Sequence, residues 1–200
     1  MERPSAANDV KIWLQLQSGS ELALGQLLTH YFNLLQNYGY KFVRNEEFVK
    51  DCVQEVFIQI WNHRTRIATP VSVRAYLLSC VRKRVIREAY RQRIRTEDDS
   101  ITPEDDSAFV EFSPEWTLIE QESLQETTHR VAEALNQLPK RQREVIYLRY
   151  YQNLDRDEIA AIMDINPQSV SNLLQQAFKT FRENWVGLLL LATALQKVTF

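Results

Sequence analysis

The sequence predicts an all-α protein: two small helical domains joined by a flexible acidic linker. Three observations carry that expectation. Apolar residues recur at helical spacing along most of the chain. Glycine and proline are scarce, at 4 and 6 in 200 residues, so few positions interrupt a helix. The charge is segregated. Between Asn62 and Arg95 lie Arg64, Arg66, Arg74, Arg82, Lys83, Arg84, Arg87, Arg91, Arg93 and Arg95, against Glu88 alone. From Thr96 to His129 there are many Asp and Glu and no Lys or Arg. A net charge of −2 therefore conceals a basic block followed by an acidic one.

This pattern divides the chain into an N-terminal segment (1–20), a helical domain (21–94), an acidic linker (95–114), a second helical domain (115–185) and an apolar tail (186–200). Met1 to Asn8 reads as loose, and Asp9 as the cap of a first helix reaching Gln17. Ser18-Gly19-Ser20 breaks it. Glu21 to Gly39 is expected as a helix with Leu24, Leu27, Leu28, Tyr31, Leu34 and Leu35 inward. Glu46 to Trp61 is the next, with Val49, Cys52, Val53, Val56, Phe57 and Ile60 as its stripe. Its other face mixes Asp51, Glu55 and Ile58 with Gln54 beside them. That suits a docking surface, although a merely solvated face is the commoner use of such a pattern.

Asn62 to Ser72 reads as a basic loop bent at Thr69-Pro70. Ser72 caps a long helix to about Gln92, with Leu77 or Leu78, Val81 and Val85 inward. Tyr76, Lys83, Arg87 and Tyr90 or Arg91 line the opposite side. Cations interleaved with aromatic rings suit single-stranded nucleic acid, whose phosphates are neutralised and whose bases stack. The plain alternative is a solvated basic face. Beyond the linker, Pro114 to Leu138 is expected as a helix with Leu124, Val131 and Leu135 in its stripe. Pro139 opens another at its first turn, packed by Val145, Ile146 and Leu148, with Lys140, Arg141 and Arg143 outward.

Leu154 to Arg182 then reads as helix, turn and helix. Asp155 stands where it can cap the first helix, whose apolar face is Ile159, Ala160 and Met163. The chain turns at Asp164-Ile165-Asn166, where positive φ would suit glycine better than Asp164. Asn166 followed by Pro167 restarts the helix. Val170, Leu174, Ala177 and Phe181 make its buried stripe. Gln168, Asn172, Gln175, Lys179 and Arg182 repeat on another face. Amides can pair bidentately with adenine, and Lys can reach guanine or phosphate. A solvated helical hairpin is the alternative.

The totals exclude several classes. Little net charge argues against a free-standing duplex binder held mainly by counterion release. Cys52 and Cys80 fall on apolar helical faces and read as buried thiols rather than a disulfide. The three His have no metal-ligand spacing. No catalytic residue, metal or cofactor is expected. No signal peptide opens the chain, and Val186 to Leu195 is about half the ~20 apolar residues of a membrane span, so it is expected to extend the last helix. The expected location is cytoplasmic.

Three stretches together resemble a known family. Asp51-Cys52-Val53-Gln54-Glu55-Val56-Phe57-Ile58-Gln59-Ile60-Trp61 resembles the region-two signature of bacterial sigma factors. Val73-Arg74-Ala75-Tyr76-Leu77 leading into Arg82-Lys83-Arg84 is similar to the start of that region's promoter-contacting helix. Leu138-Pro139-Lys140-Arg141-Gln142-Arg143-Glu144-Val145 with the helix-turn-helix looks like region four. Order and spacing resemble the extracytoplasmic-function subfamily of the sigma-70 family. The resemblance implies that Asp51, Gln54, Glu55, Ile58 and Trp61 dock on core RNA polymerase. It implies that Arg64, Arg66, Arg74, Tyr76, Lys83, Arg84, Arg87 and Arg91 serve the minus-ten element. Gln168, Ser169, Ser171, Asn172, Gln175, Lys179 and Arg182 would serve the minus-thirty-five element. Core polymerase, promoter DNA and an anti-sigma factor are the implied partners, with no catalysis by this chain. A stand-alone helix-turn-helix regulator is the rival. An enzyme acting on nucleic acid would need paired carboxylates, a metal cluster or a phosphate-cradling loop, and none is legible.

Overall fold

The computed structural model describes the backbone of residues 6–95 and 122–198, with side-chain detail over 8–92 and 129–185. The acidic linker, apart from Arg95 at the end of a helix, and the stretch 114–121 expected to open the second domain's first helix lie outside the described residues, as do the side chains of the apolar tail. Every regular element among the described residues is helical: α1 (Ala6–Gln17), α2 (Glu21–Gly39), α3 (Glu46–His63), α4 (Val73–Arg95), α5 (Glu122–Asn136), α6 (Lys140–Ile146), a π turn (Tyr147–Tyr151), α7 (Arg156–Met163) and α8 (Pro167–Val198). They fall into two compact units. One gathers α1 to α4 together with α7; the other holds α5, α6, the π turn and α8.

The first unit is built around α2. Ser20 starts it, its hydroxyl accepting from the Ala23 amide at 3.3 Å. Ala23, Leu27, Tyr31, Leu35, Tyr38 and Gly39 form its buried stripe. Leu24, Leu28 and Leu34, expected inward, are only half-buried, because the stripe is narrower than the leucine pattern suggests. Asn45 caps α3 through the Phe48 amide at 3.1 Å. The expected core stripe of α3, from Val49 to Ile60, is buried in full. Ser72 caps α4, accepting from the Ala75 amide at 3.2 Å. Both Leu77 and Leu78 are fully buried, with Val81 and Val85. Each such side chain contributes about 1.5–3 kcal/mol of apolar burial.

The start of α1 differs from expectation. Asp9 is not its cap, since the helix already begins at Ala6. Asp9 is buried and accepts a 2.5 Å hydrogen bond from the Tyr31 hydroxyl. A buried carboxylate has to be hydrogen-bonded, and tying α1 to α2 satisfies that requirement. Trp13 and Leu16 complete the inner face of α1, both fully buried.

In the second unit Pro139 stands at the N-cap of α6, and Gln142, Glu144, Val145 and Ile146 are buried. Of the three cations expected outward, Arg141 is exposed, while Lys140 and Arg143 are half-buried. The helix then widens into the π turn. Here the Gln152 amide reaches back five residues to the Tyr147 carbonyl at 3.0 Å. Asn153 follows in the left-handed region at φ 50°. Arg149 closes the loop, donating to the Leu154 carbonyl at 2.8 Å.

Candidate nucleic-acid and polymerase-binding surfaces

On α3 the mixed face lies open to solvent. Asp51, Gln54 and Ile58 are exposed, and Ile58 keeps 52% of its surface accessible. Glu55 is half-buried, 3.8 Å from Arg84, and accepts from the Gln59 amide. Trp61 is half-buried. The Arg64 guanidinium sits 4.2 Å from its ring centroid and donates to the Trp61 carbonyl at 2.7 Å. The cation–π contact and the hydrogen bond together tie the Arg64 side chain back to the end of α3.

The basic face of α4 is organised by one carboxylate. Glu88 lies 3.1 Å from Arg91, 3.6 Å from Arg84 and 3.8 Å from Arg87. It spaces the arginines and screens part of their mutual repulsion. Arg66, Lys83, Arg87 and Arg91 are exposed. Within the same unit Lys83 pairs with Asp164 at 3.0 Å, an exposed contact of small energetic weight. Arg64, Arg74, Tyr76 and Arg84 are half-buried and already engaged inside the unit.

Tyr76 is not aligned simply with the exposed cations. Its ring meets Trp13 edge-on, with centroids 5.3 Å apart. Burial first, and then the Cys80 thiol beside it, push its hydroxyl up to about 12. Cys80, expected to be buried, is half-buried; Cys52 is buried, and both are free thiols. Tyr76 and Cys80 border a cleft of about 330 Å³ between α3, α4 and the loop that joins them, with His63, Ile67, Lys83 and Arg87 around it. An aromatic ring and cations around one small cleft can hold a planar ring and its phosphate.

The second candidate surface is on α8. Asp164 adopts φ 57°, the left-handed turn expected there. Asn166 caps α8, accepting from the Ser169 amide at 2.7 Å. Val170 and Ala177 are buried, while Leu174 and Phe181 are half-buried. Gln168, Asn172, Gln175, Lys179 and Arg182 are exposed on one stripe. Gln168 donates to Asn172 at 3.1 Å, so one amide orients the other. Ser171 bonds back to the Pro167 carbonyl, and Ser169 is half-buried at the cap. Phe178, unremarked in the sequence pattern, is 45% exposed and meets Tyr150 edge-on at 5.9 Å. Its position outside the 3.6-residue core stripe was the available signal.

Comparison with known proteins accounts for this arrangement. Residues 27–96 match the family model for sigma-70 region 2, and residues 128–181 match that for sigma-70 region 4. The chain belongs to the sigma-70 family of transcription initiation factors, a non-enzymatic class. With only residues 97–127 between the two matched regions, it is of the extracytoplasmic-function type. Two solved structures share the fold. CnrH, solved with the cytosolic domain of CnrY, is 23% identical at a TM-score of 0.58, over 90% of this chain and 96% of that one. The sigma factor RpoE from Bartonella quintana, solved with the anti-sigma factor NepR, is 17% identical at a TM-score of 0.56, over 80% and 94%. Among curated proteins no match is found. No helix among the described residues is long and apolar enough to cross a membrane.

Proposed function

We propose that this chain binds core RNA polymerase and directs promoter-specific initiation, with residues 21–94 serving the minus-ten element and residues 115–185 the minus-thirty-five element. The carrying observation is the segregation of two surfaces within the first unit. Asp51, Gln54 and Ile58 stand exposed on α3, whereas Arg66, Lys83, Arg87 and Arg91 stand exposed on the loop and α4. An acidic and apolar face suits a protein partner; a basic face beside an aromatic-bordered cleft suits unpaired DNA. The amide stripe of α8 suits the major groove. Each surface is modest by itself, so selectivity is expected only when polymerase holds both at once and raises their effective concentration.

On this reading the protein works in the cytoplasm and adds no chemistry to bond formation. RpoE, solved with the anti-sigma factor NepR, supports an anti-sigma factor as a further partner. The test is transcription from genomic fragments with purified core polymerase. Start sites should appear only when this chain is added. Asp51→Arg with Glu55→Arg should abolish polymerase capture while the helical content is retained. Nanomolar duplex binding in physiological salt without polymerase would instead favour the stand-alone regulator.

A further inference from the structure

The loop from Arg64 to Ser72 is anchored at its two ends and held in the middle by one side chain from elsewhere. At its start the Arg66 and Ile67 amides both donate to the His63 carbonyl, at 2.8 and 3.1 Å. At its end Ser72 caps α4. Between them, Gln17 uses both faces of its carboxamide. Its Nε2 donates to the Ile67 carbonyl at 2.5 Å, and its Oε1 accepts from the Thr69 hydroxyl at 2.9 Å. These contacts span 50 and 52 residues of sequence.

Gln17 is itself rigidly placed. It is the last residue of α1, and Gly19 at φ +96° turns the chain immediately afterwards. The Gly19 amide bonds the Leu16 carbonyl at 2.9 Å and the Ser20 amide bonds the Gln15 carbonyl at 3.0 Å, so the helix end is closed. Trp13 lies four residues earlier, on the same side of α1. It packs against Tyr76 at the start of α4, while Gln17 grips the loop that leads there. The loop's outer part carries Val71, which is 99% exposed.

We infer that Gln17 is a positioning residue that presets the Arg64–Ser72 loop in the conformation that reads the minus-ten element. The inference rests on the function proposed above. A loop already fixed by two hydrogen bonds loses less freedom when DNA docks, and it offers Val71 and Arg66 in one register. Gln17 touches no DNA in this scheme. It acts through Ile67 and Thr69.

Gln17→Met keeps the shape and removes both bonds. Gln17→Glu keeps the acceptor for Thr69 and removes the donor to Ile67. Backbone 15N order parameters of Ala68, Thr69 and Val71 in the free protein should fall from the rigid value of about 0.85 towards 0.6 in Gln17→Met, with Gln17→Glu between. In holoenzyme, the preference for the cognate single-stranded minus-ten sequence over a single-base change should drop about ten-fold. Polymerase affinity should stay unchanged, and thermal melting should fall by no more than the few degrees that two lost hydrogen bonds account for. Adding Thr69→Val to Gln17→Met should change neither readout further. Unchanged order parameters and unchanged discrimination in Gln17→Met would overturn the inference. A wild-type holoenzyme without any minus-ten preference would overturn the proposed function and the DNA half of this inference, while the order parameters still decide whether Gln17 holds the loop.

Discussion

At Gly39 the backbone of α2 faces side chains of both α3 and α4, and a single methyl group there gives a sharp test of how closely they pack. A Cβ on Gly39 would lie 2.6 Å from Val49 Cγ1 and 3.5 Å from methyls of Val81 and Val85. The two 3.5 Å approaches are ordinary contacts; the 2.6 Å approach is not. Relieving such an overlap in a close-packed core costs about 1–3 kcal/mol. Against this, alanine in a helix is favoured over glycine by roughly 0.5–1 kcal/mol. The overlap should win, and Gly39→Ala should destabilise the first unit by about 0.5–2 kcal/mol. Val49→Ala removes the offending methyl and should itself cost about 1–3 kcal/mol, at ~0.5–1.5 per buried methyl. On that background the sign should reverse, because only the helix preference remains, and Gly39→Ala, at the last residue of α2, should stabilise by up to about 1 kcal/mol. Native-state hydrogen exchange at core amides of α2, α3 and α4 reads this unit separately from the other. Destabilisation of equal size in both backgrounds, or a gain in the otherwise unchanged chain, would refute the argument. The functional consequence is direct. α3 carries the proposed docking face and α4 the proposed DNA face, and Gly39 lets each pack this closely against α2.

Two further outcomes are expected in the helix-turn-helix. Because Asp164 sits at φ 57°, Asp164→Gly should be more stable than Asp164→Ala by about 1 kcal/mol in urea unfolding, the reverse of the order inside a helix; alanine as the more stable variant would contradict the turn. Gln168→Ala or Asn172→Ala should weaken holoenzyme binding to a minus-thirty-five duplex by about 1–3 kcal/mol if the residue makes a bidentate base contact. Loss in neither variant, measured by fluorescence anisotropy, would move recognition to another face of α8.

Much of this protein was legible in its residue pattern, for a physical reason. The stripe from Val49 to Ile60, the capping Ser72, the Asn166-Pro167 restart and the unusual turn at Asp164 are all local. Each depends on helical periodicity or on what one residue does to its own backbone, and a linear sequence contains both. The basic block from Arg64 to Arg95, which carries the proposed DNA face, is likewise readable by counting. Other features depend on contacts between residues far apart in the chain. Asp9 reads as a helix cap until Tyr31 is brought to it. Tyr76 reads as one of the outward residues of α4 until Trp13 is brought against its ring. Arg64 and Arg84 read as free cations until Trp61 and Glu55 take them up. Gln17 carries no signal beyond the break that follows it, because its role lies with Ile67 and Thr69, fifty residues on. Periodicity shows which side chains point inward; only the packed helices decide which polar groups meet, since those meetings close long loops that no local preference encodes.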